Sequence, residues 1–513
     1  MTMKTFPARA RPSGTPKQSD SLMRLASPLR PLAALTLALL MSGCMVGPDY
    51  HRPQVNVPAT YSELPGWTQA EPNAAAPKGD WWTAFDDPLM NELEPLVSVS
   101  NQTVRQDYAN YQEALADVRV ARAGLFPTVG ATGSTTRQRA ASGTTARVVN
   151  SGSLEGNVSW APDLWGQVRR TIEQNAATAQ ASEATLANAT LSEQVALATA
   201  IIDLRVSDAN ADLLRQTVAA YQRYLDVISQ QSQAGTIAPS DLITARTQLE
   251  NAQSSLIALG VSRAEYTHAI AVLVGKNPEE LTIPPSTSMP TLPGIPVGVP
   301  STLLERRPDI AVAERDMAAQ NAAIGVAVSA YYPDVSLSAL DGFTQSPVSG
   351  LLHIANYVWS LGGSATETLF DGGLRSADVD AAKAAYDAAL ANYRGTVLTA
   401  FKDIEDDLSG LRILAEQSVV LDSAVADAKQ GAEIAFNEYQ AGTVDYTTVA
   451  TAQATALSSQ QTALTVQENR LVDAANLYGD LGGGWSANDL HDARHPLSAA
   501  VNTASEAAVV QPK

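Results

Sequence analysis

Four short stretches of this chain alternate apolar and polar residues, and long helical runs separate them. Leu154, Gly156, Val158 and Trp160 alternate with Glu155, Asn157 and Ser159. Val335, Leu337 and Ala339 alternate with Ser336 and Ser338; Tyr357, Trp359 and Leu361 alternate with Asn356, Ser360 and Gly362. Val129 and Ala131 open a fourth stretch, which turns polar. A period of two is that of a strand with one apolar face. No proline occurs from Asp163 to Ala238 or from Val348 to His495, and Ala, Leu, Gln and Glu dominate these runs. Such segments favour uninterrupted helix. As one helix, Gly166 to Ser232 would reach about 100 Å at about 1.5 Å per residue. On the helices alone, a soluble coiled coil or bundle is an equal reading.

The pattern occurs twice. Phe126-Pro127 pairs with Tyr332-Pro333 at an offset of 206, and Gly166-Gln-Val-Arg169 with Gly372-Gly-Leu-Arg375 at the same offset. Gln233-Ala234-Gly235-Thr236 recurs as Gln440-Ala441-Gly442-Thr443 at 207, and Leu273-Val-Gly275 as Leu481-Gly-Gly483 at 208. Ordered landmarks with so little drift predict two tandem structural repeats. Repeat 1 covers 96–277 and repeat 2 covers 309–484, joined by a Pro-rich linker over 278–308 that reads as extended chain. Residues 44–95 are similarly Pro-rich, and 485–513 read as a flexible polar tail.

The start of the chain reads as a lipoprotein signal peptide, 1–43. Six Lys and Arg precede the apolar stretch Pro31–Met41, which is too short to span a bilayer. It ends at Met41-Ser-Gly-Cys44, which resembles a lipobox; Cys44, the only cysteine, would carry the lipid. Met23 offers a more ordinary start for such a signal than Met1. Met45 after the cysteine favours the outer membrane.

The net charge of −19 becomes −24 without that segment, which argues against nucleic-acid binding. No run of about 20 apolar residues follows the signal, so a membrane crossing is expected to use strands. Four strands cannot close a transmembrane barrel, whose minimum is about eight. Copies of the chain would have to contribute four each, giving eight, twelve or sixteen.

Several segments together resemble the NodT/OprM-type outer-membrane factor lipoproteins, relatives of TolC. They are Cys44-Met-Val-Gly-Pro-Asp-Tyr-His-Arg-Pro53, Trp81-Trp82-Thr-Ala-Phe85-Asp-Asp-Pro-Leu89, Glu305-Arg-Arg-Pro-Asp-Ile310 with Ala313-Glu314, and Ile324-Gly-Val-Ala327. The resemblance covers nearly the whole mature chain. It implies an α+β membrane protein: a homotrimer with a twelve-stranded outer-membrane β-barrel, continued by a long periplasmic α-helical barrel. It implies the passive exit duct of a tripartite efflux pump, partnered by a periplasmic adaptor (membrane fusion) protein and an inner-membrane resistance–nodulation–division transporter. A protein-secretion duct keeps the same fold; a periplasmic structural coiled-coil lipoprotein would not.

Glycines amid long helices signal turns, so Gln233–Thr236 and Gln440–Thr443 are expected at the periplasmic tips, touching the adaptor. Family members often carry aspartates shortly after the second such glycine, where the pore narrows. Here Thr448 and Thr451 stand in that place. Asp445 and Asp241 are the nearby acids, so the constriction is expected among these four residues. Asp241, following Pro239-Ser240, also reads as an ordinary helix N-terminal acid. No enzyme is expected: the five histidines lack metal-ligand spacing, no nucleotide-binding fingerprint occurs, and Asp403, Glu405, Asp406 and Asp407 read as a solvated helix face. No cofactor is expected beyond the lipid on Cys44.

Overall fold

The computed structural model describes residues 45–58, 60–63, 80–142, 145–294 and 303–494. All belong to one compact unit, Met45–Lys513. Cys44 and the signal segment lie outside the described residues.

Seven helices and four strands carry the fold. Helix α1 (Pro88–Ser100) starts at the N-cap Asp87, whose carboxylate accepts from the Leu89 and Met90 amides. Helix α2 (Gln102–Ala123) starts likewise at Asn101. Strands β1 (Thr128–Ser142) and β2 (Thr145–Trp160) follow. Then come α3 (Gln167–Gln233) and α4 (Pro239–Leu273). A single helical turn (Leu303–Arg306) leads into α5 (Pro308–Ser329). Strands β3 (Asp334–Gln345) and β4 (Tyr357–Thr366) lead to α6 (Leu374–Gln440) and α7 (Tyr446–Asp480). Helices α3 and α6 each run 67 residues, and α4 and α7 each run 35. The longer pair are about 100 Å each by helix rise.

The strands form one antiparallel sheet in the order β1-β2-β3-β4, and each of the three pairings runs in continuous register. Residues directly opposite in such a ladder share a face. Val129, Val158, Ala339 and Leu361 therefore form one row across all four strands. Leu154, Phe343 and Tyr357 form another, and Gly156, Asp341 and Trp359 a third. The opposite, mostly polar face carries Thr128, Ser159 and Ser338, then Asn157, Leu340 and Ser360, then Glu155, Gly342 and Val358. Ser134 bonds Ser153, and Ser336 bonds Ser364, across that polar face. The one acid on the apolar face, Asp341, accepts from the Tyr357 hydroxyl.

Helix α3 packs against α2, α4, α5 and α7. Its first half buries Ala176, Ala177, Ala179, Ala181 and Ala184, and α5 buries Ala311, Ala313, Ala318, Ala319 and Ala322. Small residues at the contact let helix axes approach closely. The largest core lies near mid-helix. There Trp81, Trp82, Phe85, Met90 and Val97 pack with Leu197, Ile201 and Leu204 of α3, Ile404 and Leu408 of α6, and Leu477 of α7. Trp81 stacks on Tyr478 at 5.6 Å between ring centroids.

Three expectations need correction. Residues 44–95 are not wholly extended: α1 begins at Pro88, where proline's missing amide costs nothing at N1. The tail is held as far as His491, because its amide donates to Glu183 and Gln180 donates to its carbonyl. Helix α4 is long and apolar enough, by length and composition, to cross a membrane, contrary to the reading that no such segment follows the signal. It instead pairs with α3, and its Arg263 reaches Asp208 at 2.7 Å.

Candidate functional site: the strand face, the helix turns and the N-terminal strap

Among the described residues nothing covers the apolar sheet face. Leu361, near the middle of β4, is 76% exposed, Trp359 two residues before it 66%, and Val129, at the start of β1, 78%, all on the apolar side. Aromatic and apolar residues gather where strands meet helices: Phe126 before β1, Tyr331 and Tyr332 before β3, Leu369 and Phe370 after β4, all exposed. Trp165 stacks on Tyr332 at 4.9 Å there, and its indole donates to the Pro333 carbonyl. Two helices also present apolar side chains outward: Ile257 and Val261 from α4, Val419 and Val420 from α6. Uncovered apolar area on this scale marks association with lipid or another chain.

The two Gln-Ala-Gly-Thr segments adopt one geometry. Gln233 ends α3 and Gln440 ends α6. The Ala234 and Ala441 amides donate to Gln230 and Asn437. Gly235 sits at φ +74° and Gly442 at +75°. The Thr236 and Thr443 amides reach back to the Gln231 and Glu438 carbonyls, and their hydroxyls bond the same two acceptors. This is the six-to-one helix termination that needs a left-handed residue. The two turns also pack together. Ile228, Ala245, Ala435, Tyr439, Tyr446 and Val449 form one buried cluster. The Tyr439 hydroxyl bonds Gln231, and that of Tyr446 bonds Gln248.

The acids near these turns are engaged in helix starts. Asp445 caps α7, accepting from the Thr448 amide at 3.0 Å and its hydroxyl at 2.9 Å; these bonds hold its carboxyl below the usual range. The Thr451 hydroxyl donates to the Thr447 carbonyl, and both Thr448 and Thr451 are exposed. Asp241 lies in the first turn of α4, half-buried and close to Tyr439.

A strap formed by residues 45–58 and 60–63 lies along the helices. The Val46 amide donates to the Trp165 carbonyl. The fully buried Arg170 donates to the Val46 and Gly47 carbonyls and to the Asp49 carboxylate, and also pairs with Glu173. Gly47 approaches Gly325 so closely that a Cβ would lie 2.4 Å from the Gly325 Cα. Tyr50 bonds Glu314, Ser62 and Glu63 donate to Glu405, and Arg412 pairs with Glu63. Met45, next to the proposed lipid-bearing cysteine, is thereby held at the strand–helix junction.

Motif residues missed as interaction centres explain themselves here. Arg307 binds Asp309 at 2.8 Å and Asp480 at 2.9 Å, and lies 3.9 Å from Asp403, joining α5, α6 and α7. Asp87 pairs with the buried Arg205 at 2.9 Å. The acid run on α6 is not simply a solvated face. Glu405 serves the strap, and Asp407 is half-buried against α7, where burial and then Asp480 and Asp473 push its carboxyl up to about 8. Burial and then Asp203 likewise push Glu468 up to about 7.

The family model described as outer membrane efflux protein matches residues 96–276 and again 299–483. The chain is 29% identical over 462 residues to a probable efflux pump outer membrane protein, TtgC, of Pseudomonas putida, covering 88% of this chain and 95% of that one. It is 28% identical over 478 residues to nodulation protein T of Rhizobium leguminosarum, covering 92% and 98%. Among solved structures, the outer-membrane channel OprN superposes with a TM-score of 0.80 at 30% identity, covering 86% of this chain and all of that one.

Proposed function

The chain belongs to the outer membrane efflux protein family, and from that premise we propose that it is the outer-membrane exit channel of a tripartite efflux pump. It conducts small molecules passively, and an inner-membrane transporter of the resistance–nodulation–division class and a periplasmic adaptor deliver them. The observation that carries this reading is the four-stranded sheet whose apolar face has no partner among the described residues while its ends continue into helices of about 100 Å. Three copies would close twelve strands into a barrel with the apolar face toward lipid and the Ser, Thr and Asn face toward the lumen. The exposed apolar residues on α4 and α6 support packing between copies. Equal helix lengths and two matches to one family model support a duplicated unit.

The Gln-Ala-Gly-Thr turns are the periplasmic tips in this reading, and the adaptor docks on them. Asp241, Asp445, Thr448 and Thr451 line the narrowing behind them. Cys44 carries the lipid, and the strap fixes its neighbour Met45 beside Trp165. Expression with the companion pump and adaptor in cells lacking their own duct tests the function. Accumulation of a fluorescent substrate falls if the chain is the exit channel; accumulation equal to that of the empty cell refutes it.

A further inference from the structure

The β1–β2 hairpin runs well past its neighbours. β3 pairs with β2 only from Trp160 to Gly152, whereas β1 and β2 stay paired to Ser142 and Thr145. This overhang lies at the end of the sheet opposite the helices, because α2 enters β1 at Thr128 and α3 leaves β2 after Trp160. It carries Arg137, Arg139 and Arg147, all exposed. None has an ion-pair partner among the described residues. From Val118 to Leu154 the chain has no acid, in a protein of net charge −19.

The register assigns faces. Arg137 and Arg139 share the face of Val129, Ala131 and Gly133, whereas Arg147 pairs opposite Ala140 and takes the other face. On the apolar face the rows run from Val335 to Phe343, roughly 27 Å along the strand at about 3.4 Å per residue. Tilted by about 40°, that span approaches the apolar band, about 25 Å tall, of a membrane barrel. Arg137 stands four residues beyond the row of Gly133, Leu154, Phe343 and Tyr357, and Arg139 six. Those offsets are roughly 14 and 20 Å along the strand, or about 10 and 16 Å along the membrane normal at the same tilt, past the apolar rows and at the level of headgroups rather than acyl chains.

We propose that Arg137 and Arg139 bind the phosphate groups of phosphorylated glycolipid headgroups in the membrane leaflet farther from the helices. The proposal rests on the barrel reading above. Two guanidiniums on alternate residues of one face stand about 7 Å apart and offer forked donors that match phosphate oxygens. An acidic protein needs such a local cationic patch to sit among anionic headgroups without repulsion. Arg147, facing inward, takes no part.

The test uses purified full-length wild-type protein, the Arg137→Gln/Arg139→Gln double variant and Arg147→Gln. Each is inserted into neutral phosphatidylcholine liposomes and then titrated with bisphosphorylated lipid A. At roughly fivefold per arginine, the double variant should bind lipid A on the order of twentyfold more weakly. Arg147→Gln should bind like the wild type, and 0.5 M salt should weaken the wild type toward the double variant. All three should insert into neutral liposomes equally. Equal lipid A affinity in double variant and wild type overturns the arginine assignment while leaving the barrel standing. Failure of the wild type to insert at all overturns the barrel, and this proposal with it.

Discussion

Glu94 is the carboxyl that this fold accommodates least well as an anion. It is fully buried on α1, neither oxygen has a hydrogen-bond partner, and burial pushes it up to about 9 from 4.5. The sign follows directly. A folded-state value above the unfolded one gives stability that is full below about 4.5 and is lost as pH rises toward 9. Near pH 7 the folded chain bears a cost on the order of 3 kcal/mol for keeping this group neutral. Glu94→Met should therefore raise the heat-dissociation midpoint, and more at pH 8 than at pH 5. An equal gain at both pH values would mean that packing, not protonation, sets the effect. At this scale the sequence is least legible. Arg170 bonds residues 121 to 124 positions away, and Arg205 pairs with Asp87 across 118. No local period marks such pairs, so Arg307 stood out only as part of a motif.

Among elements, the turns were readable and their neighbours less so. A lone glycine flanked by long helical runs has few uses other than termination. A Cβ at Gly235 or Gly442 would meet nothing within 4 Å, so the left-handed backbone alone resists substitution. Gly442→Val should cost about 1–2 kcal/mol at the turn and displace both flanking helices. Gly442→Ala should be milder, because a β-branched side chain fits that backbone worst. Efflux and cysteine crosslinking to the adaptor should fall in the valine variant while trimer abundance holds. Normal efflux with unchanged crosslinking would remove this turn from the mechanism. The constriction was less legible. Asp445 reads as an acid near the turn, and its carboxylate caps α7 through Thr448, a role that depends on where the helix starts. Prolines misled at α1 because position N1 tolerates what a helix interior does not.

At the scale of the molecule, alternation in three of the four strands predicted the faces that the register brings together. The β2–β3 register, which joins the two halves of the sheet, was not legible, because it pairs segments almost 200 residues apart. The central claim is that this sheet spans a lipid bilayer as part of a trimeric conducting barrel. Leu361 and Ser360 are adjacent on β4 and face opposite ways, so they discriminate sharply. An arginine on the lipid face near mid-membrane costs about 2–4 kcal/mol, whereas one on the lumen face remains hydrated. The most direct measurement is single-channel conductance in planar bilayers of the purified wild type, Leu361→Arg and Ser360→Arg. The account predicts long-lived conductance steps from a heat-resistant wild-type trimer. It predicts few insertions for Leu361→Arg, and insertion with altered ion selectivity for Ser360→Arg. No conductance from the wild type, or equal insertion by Leu361→Arg, would contradict it.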